Sequence, residues 1–227
     1  MKKLLIATLA GCVIAAGLQG CAALVVGGAA TGAVIAHDRR SFGTVIDDQE
    51  IEFRAWQALR AHQRLYDQSH IGVTSYDRIV LLTGETPTPE MRAEAGKIVG
   101  QIANVRRVYN QLAIAAPDSL ATRISDAGVT ARVKVSLFDV PGLKHFDPTR
   151  VKVVTEEGVV YLMGLLTHKE ATAVTNEVRH IDGVQRVVTV FEYIDSAPPA
   201  QEQENAAAGN NTGSSTSNTV QTYPVQQ

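Results

Sequence analysis

Cysteine is almost missing from this 227-residue chain: Cys12 and Cys21 are the only two. From residue 22 onward neither a disulfide nor a thiolate metal site can form within the chain, so packing must hold the fold. Aromatic residues make up 5%, with one tryptophan, Trp56, and neither charge sign dominates, since 21 basic and 23 acidic side chains leave a formal net charge of -2. That balance excludes the strongly basic face that nucleic acid requires. Gly-x-Ser-x-Gly, Cys-x-x-Cys, His-Glu-x-x-His and a phosphate loop are all lacking, so the expectation is a binding module and not an enzyme. Three His-x-acid pairs occur, His145/Asp147, His168/Glu170 and His180/Asp182. They fall in a loop, a helix start and a helix end, whereas a metal site needs about three or four converging ligands. They are read as surface residues, with no metal and no cofactor expected.

An unbroken membrane-spanning helix is not indicated either: apolar character continues past Cys21 to Ala36, as an uncleaved anchor would have it, but Gly27, Gly28 and Gly32 make that second half a poor helix. The apolar stretch Leu4 to Leu18, preceded by Lys2 and Lys3, is shorter than the roughly 20 residues of a membrane span and has the form of a secretory signal. Leu18-Gln19-Gly20-Cys21 follows it and resembles the lipobox of bacterial lipoproteins, although Gln19 stands where a small residue is usual. The resemblance implies that residues 1–20 are a signal peptide, removed with Cys12, and that Cys21 is acylated with palmitate-type chains. Ala22, in place of the Asp that retains such proteins at the inner membrane, implies the periplasmic face of the outer membrane. Loss of Lys2 and Lys3 would take the formal charge to -4. Residues 21–46, rich in Gly and Ala, read as a lipidated N-terminus and flexible spacer, with Arg39 and Arg40 resting on anionic headgroups.

From Asp47 the chain repeats itself. Asp47 and Asp48 suit a helix start, and Ile51, Ala55 and Leu59 recur at helical spacing. Ile71–Ser75 and Arg78–Gly84 read as strands around a turn, Pro87–Ile102 as a helix and Arg106–Ile114 as a strand. About 78 to 80 residues later Val129, Val133 and Leu137, Val151–Thr155, Val159–Gly164, Thr167–Ile181 and Asp182–Val187 repeat that order. The stretch from Val129 to Leu137 alternates as a strand would, and is assigned as helix because its counterpart is helical. The spacing predicts two units, residues 47–116 and 117–194. Each is αββαβ, with two helices packed on one face of a small three-stranded mixed sheet, an α+β class.

The strands ending at Gly84 and Gly164, the helices after them, and Val105-Arg106-Arg107-Val108 or Val184-Gln185-Arg186-Val187 entering the last strand resemble the BON domain in duplicate. With the lipobox before them, the arrangement resembles the dual-BON outer-membrane lipoproteins. That resemblance implies phospholipid binding, support of envelope integrity and a link to cell division. Residues 195–227, dominated by Pro, Gln, Asn, Ser and Thr, read as a disordered polar tail.

The second unit is polarised along its sequence. Ser119–Thr155 carries six basic and three acidic residues, whereas Glu156–Asp195 carries three basic and seven acidic. On its first helix Ala131, Val135 and Phe138 fall opposite the core stripe, edged by Arg132 and Lys134, while the first unit's counterpart reads as mostly polar. An apolar strip with basic edges suits a bilayer interface. The lipid-binding residues are therefore expected to be Ala131, Arg132, Lys134, Val135, Phe138, Lys144 and Lys152, with Val140, Leu143 and Phe146 adding to the strip. The expected partner is an anionic phospholipid membrane. The competing reading is a lipid-anchored adaptor for a periplasmic or outer-membrane protein, in which the stripe packs inside the molecule.

Overall fold

The computed structural model describes residues 38–144 and 146–195, and the backbone of 218–224. The described residues from Arg39 on belong to one compact unit. The first helix of the described residues, α1, is Phe42–Ala61, and begins five residues before the expected acidic start. Ser41 is its N-cap: the Oγ accepts the Thr44 N–H at 3.1 Å, which satisfies one of the donors a helix start leaves free. Residues 42–46, expected in the spacer, are therefore helical. Asp48 does not cap the helix. It lies on the inner face with Ile51, Ala55 and Leu59.

After a short helix α2 (Gln63–Gln68) come strands β1 (His70–Tyr76) and β2 (Ile79–Thr86). The expected strand from 106 to 114 is split into β3 (Arg107–Asn110) and β4 (Ala113–Ile114), and helix α3 (Pro89–Gly100) precedes it. The split falls where Leu112 turns fully into the core. The second unit repeats the plan with α4 (Leu120–Ser136), β5 (Val151–Glu156), β6 (Val159–Leu166), α5 (His168–Val178) and β7 (Arg186–Tyr193). The alternating segment is thus helical, and Ser119 caps α4 as Ser41 caps α1, accepting the Thr122 N–H at 3.2 Å.

In each unit the hairpin is antiparallel and the third strand runs parallel to the hairpin's second strand. Both hairpins turn through two residues at positive φ, Asp77 and Arg78 in one and Glu157 and Gly158 in the other, as tight hairpins require. In each unit one buried aspartate holds that turn. Asp48 accepts the N–H groups of Asp77 (2.8 Å) and Arg78 (2.6 Å), and Asp126 accepts those of Glu157 and Gly158, both at 2.9 Å. Gly84 has a reason of its own: at φ 102 an added Cβ would sit 2.1 Å from the His70 carbonyl oxygen.

Residues 195–227, expected to be wholly disordered, contain a further strand. Asn218–Pro224, here β8, pairs antiparallel with β7 from Arg186↔Pro224 to Glu192↔Asn218. The outer edge of β7 offers unpaired N–H and C=O groups. Thr219-Val220-Gln221-Thr222-Tyr223 is a β-prone run, which the polar composition of the whole tail conceals. The second sheet accordingly has four strands in the order β5-β6-β7-β8.

Successive residues of β2 and β6 serve different cores. Val80 and Leu82 join Ile51, Ala55, Leu59, Met91 and Val99 under the first unit's helices. Val160, Leu162 and Leu166 join Val129, Val133, Leu137, Val174 and Val178 under the second's. Ile79 and Leu81, with Tyr76, meet Tyr161, Met163, Val188 and Val190 in a third cluster that draws on both units. Each sheet thus gives one face to its own helices and the other to its neighbour's sheet. That is why β2 is buried along its whole length.

Ion pairs rim this seam. Arg106 Nη2 lies 2.9 Å from Glu192 Oε1, and Nη1 lies 2.6 Å from Asp77 Oδ2. Burial pushes the Glu192 carboxyl up to about 7, the neighbouring Asp77 carboxylate adds to the rise, and Arg106 opposes it. A carboxyl raised in this way stabilises the fold fully below its unfolded value of about 4.3, and that stabilisation is lost as pH rises through about 7. The melting temperature is therefore expected to fall by on the order of 5 °C between about pH 5 and pH 7.5. Glu192→Gln is expected to remove its share of that slope in a pH series of thermal melts, leaving the share of Glu156, which is raised to the same value.

Arg39 and Arg40 do not reach outward. The Arg39 guanidinium makes a two-pronged bond to Glu170 (2.7 and 2.8 Å) and donates to the Leu165 carbonyl at 3.0 Å, with its side chain 2% exposed. Arg40 donates to Asp48 at 2.7 Å and covers the Tyr76 ring at 3.9 Å. The headgroup role expected of these two arginines is corrected: both are bound into the fold.

Candidate membrane-contact surface

Helix α4 turns Val129 and Val133 inward together with Asp126, its one acidic residue. The opposite face is apolar from end to end. Leu120 is 73% exposed, Ile124 65%, Val135 71%, and Phe138, in the short turn after the helix, 76%. Ala127 and Ala131 lie between them and are exposed as well. At about 100° per residue these six positions form one stripe about 80° wide. The expected Ala131, Val135 and Phe138 are only its C-terminal half. Leu120 and Ile124 were legible in the same periodicity but fell outside the segment matched to the first unit. The stripe does not pack against the first unit.

The basic residues divide. Lys134 and Lys144 are exposed, and Lys134 lies at the stripe's edge. Arg132 is exposed, but its Nε donates to the Asp182 carbonyl at 3.1 Å, which holds it back against the turn before β7. Arg123 is exposed and donates to the Asp118 carbonyl at 3.3 Å. Lys152 does not belong to this surface. It lies on the face of β5 opposite Val151 and Val153, with its Nζ 3.2 Å from Glu52 Oε1 of the first unit. Alternation along a strand separates it from α4. Val140 is buried in the second unit's core, and Leu143 and Phe146 pack against that core, so these three do not extend the stripe. Cys21 and His145 lie outside the described residues.

The first unit's helix is not mostly polar on its outer face. Phe42, Ile46, Phe53 and Trp56 are 58%, 49%, 57% and 46% exposed. Arg60 sits 5.0 Å from the Trp56 ring centroid, a cation–π distance. Sequence reasoning missed Phe42 and Ile46 because it started the helix after them. This face differs from that of α4 in where its acid lies: Glu50, paired with Arg54, is within α1, whereas the exposed acid nearest the α4 stripe, Asp139, lies beyond the helix end.

The remaining histidines have structural places. His168 stacks on Tyr193 with centroids 4.1 Å apart. Glu170 accepts from the Thr167 N–H and from Arg39, and those bonds hold its carboxyl below the usual range against the opposing effect of burial. His180 Nδ1 lies 2.7 Å from the Asn176 carbonyl.

Comparison with known proteins fits the duplicated fold. Residues 47–116 and 125–195 each match the BON domain. The chain is 35% identical over 178 residues to outer membrane lipoprotein DolP of Haemophilus influenzae, covering 78% of this chain and 91% of that one. It is 31% identical over 157 residues to a 21 kDa hemolysin of Actinobacillus pleuropneumoniae, covering 69% and 79%. A solved structure of CdsD, a structural protein of the type III secretion system of Chlamydia trachomatis, aligns at 14% identity and a TM-score of 0.24, covering 65% of this chain and 90% of that one. With two matched domains spanning most of the described residues, and a relative aligned over most of both chains, the protein belongs to the BON domain family as a two-domain member.

Proposed function

We propose that this protein is an outer-membrane lipoprotein, acylated at Cys21 and facing the periplasm, that binds anionic phospholipid through α4 of its second BON domain. The observation that carries the reading is the unbroken exposed apolar stripe from Leu120 to Phe138, edged by Lys134, with the exposed Asp139 beside its C-terminal end. An apolar face sinks into the boundary between headgroups and acyl chains, and neighbouring basic residues add electrostatic attraction. Among the described residues no helix is long and apolar enough to cross a membrane, and surface contact needs none. The name of the Haemophilus relative supports the location. The Leu18-Gln19-Gly20-Cys21 signature supports the anchor. Support of envelope integrity and a role in division rest on the family resemblance, and the action is binding, with no catalytic step.

The test is flotation of the chain lacking residues 1–21 with vesicles of anionic or zwitterionic phospholipid. Binding to the anionic vesicles is expected, and it should weaken in about 1 M salt, where the Debye length falls to about 3 Å. Flotation with neither vesicle favours the adaptor reading, in which the anchor alone provides location.

A further inference from the structure

Five carboxylates meet where the two units and their linker join, though they are scattered over 73 positions of sequence, from Glu85 to Glu157. Glu85 ends β2, Asp118 lies in the linker, Asp126 is on α4, and Glu156 and Glu157 lie at the second hairpin turn. His70 joins them as the cross-strand partner of Glu85. Three overlapping sets have donor atoms within 4.8 Å of one another: His70, Glu85 and Glu156; Glu85, Asp118 and Glu157; and Asp118, Asp126 and Glu156.

Part of this cluster is explained by the fold. Asp126 holds the hairpin turn, and Glu85 Oε2 accepts the Asp118 N–H at 3.1 Å. Glu156 has the Thr83 hydroxyl and Glu157 the Asp118 carboxyl beside it, and three buried polar atoms have no such account. Glu85 is 1% exposed, yet its Oε1 has no hydrogen-bond partner, and the buried atoms Asp118 Oδ2 and His70 Nδ1 have none either. Among the described residues His70 is the one basic group in an ion-pair contact with any of the five, at 3.5 Å from Glu85 and 3.8 Å from Glu156. A buried carboxylate without a partner costs heavily and calls for a counter-ion, a proton or a ligand.

We infer that this cluster is a binding site for a hard divalent cation, with calcium the ion it fits. Calcium takes six to eight oxygen ligands, carboxylates above all, in flexible geometry, whereas magnesium requires a near-ideal octahedron. Oxygens from two domains and a linker, spread over several ångströms, suit the larger and less demanding ion. Glu85, Asp118 and Glu156, each shared by two of the three sets, are the central ligands. Glu157 closes the site on the side of the turn. The ion would tie the end of β2 in the first unit to the hairpin of the second. Burial first, then the Glu85, Asp126 and Asp118 carboxylates, push the Glu156 carboxyl up to about 7, so protons compete with the cation for the same oxygens.

The experiment is calorimetric titration of the mature chain with calcium alone and magnesium alone at about pH 7.5, together with thermal melts. The expected result is one calcium per chain and a melting temperature raised by about 3–6 °C at ten times Kd. Affinity should be at least about tenfold weaker at pH 5.5, below the raised value of the Glu156 carboxyl. Glu85→Gln with Glu156→Gln is expected to abolish the calcium response and to raise the melting temperature measured without calcium, because two of five repelling charges are gone. Should that pair fail to fold, Asp118→Asn in the partly exposed linker is expected to weaken calcium binding by itself. Absence of calcium heat and of any thermal shift in the wild type overturns the site, as does a calcium shift that survives the charge-removing variants. Magnesium binding as tight as that of calcium overturns the calcium assignment.

Discussion

Asp48→Ala is expected to cost about 3–5 kcal/mol, the range for breaking a buried ion pair from one side. Four donors converge on this carboxylate: the Asp77 and Arg78 N–H groups, the Ser75 hydroxyl and the Arg40 guanidinium. Alanine takes the Asp48 carboxylate away from the Arg40 guanidinium and leaves two turn amides unanswered. Arg78, which is not glycine, also holds φ at 63° in that turn, a conformation the carboxylate helps to fix. The matching change, Asp126→Ala, is expected to cost less, about 1–3 kcal/mol. Asp126 answers two backbone amides and no arginine, and its turn has Gly158 at the strained position. Urea unfolding of the two variants side by side measures both costs. An equal or larger loss at Asp126 would mean that the arginine and the strained turn contribute nothing.

Val135→Glu combined with Phe138→Glu is expected to lower affinity for anionic vesicles by more than about a hundredfold while leaving the far-ultraviolet spectrum and melting temperature unchanged. Sinking each apolar side chain contributes roughly 1.5–3 kcal/mol, and about 3 kcal/mol in all is already more than a hundredfold in Kd. Exposures of 71% and 76% mean that the fold does not depend on either side chain. Phe53→Glu with Trp56→Glu on α1 is the control, expected to do little, because that helix face already carries Glu50. Lys134→Ala and Lys144→Ala are each expected to lose about 1 kcal/mol of binding at low salt. Lys152→Ala should lose none, since its charge is directed at Glu52. Flotation that survives the α4 change but fails with the α1 change would place the membrane on the other helix.

The duplicated order of elements was legible because hydrophobic periodicity and turn residues are local signals, and the repeat let one copy correct the other: Val129 to Leu137 alternates like a strand, and only its counterpart shows it to be a helix. What could not be read depends on partners distant in sequence. Ile79, Leu81, Tyr161 and Met163 look like ordinary strand residues, and nothing local shows that they face one another across two domains. Arg39 looked like a headgroup contact because Glu170 lies 131 positions away. The true start of α1 did have a local signal, Ser-x-x-Thr at 41–44 and again at 119–122, but the acidic pair at 47–48 drew attention from it. β8 was hidden by averaging over a polar tail. On the candidate surface Lys152 was misassigned because charge was counted along the sequence without regard to which strand face each residue takes.

The locking of Arg39 into the second unit has a consequence for how the proposed anchor acts. If Cys21 sits in the bilayer, residues 22–38 are the whole tether, and even fully extended at about 3.5 Å each they reach about 60 Å. The tether ends on Glu170 and the Leu165 carbonyl, in the same domain as α4, so the stripe searches a small volume next to the lipid from which it cannot diffuse away. A leash of that length gives an effective concentration of about a millimolar. A helix with only millimolar intrinsic affinity would then spend about half its time on the membrane, and a modest change in lipid charge would be enough to move it on or off.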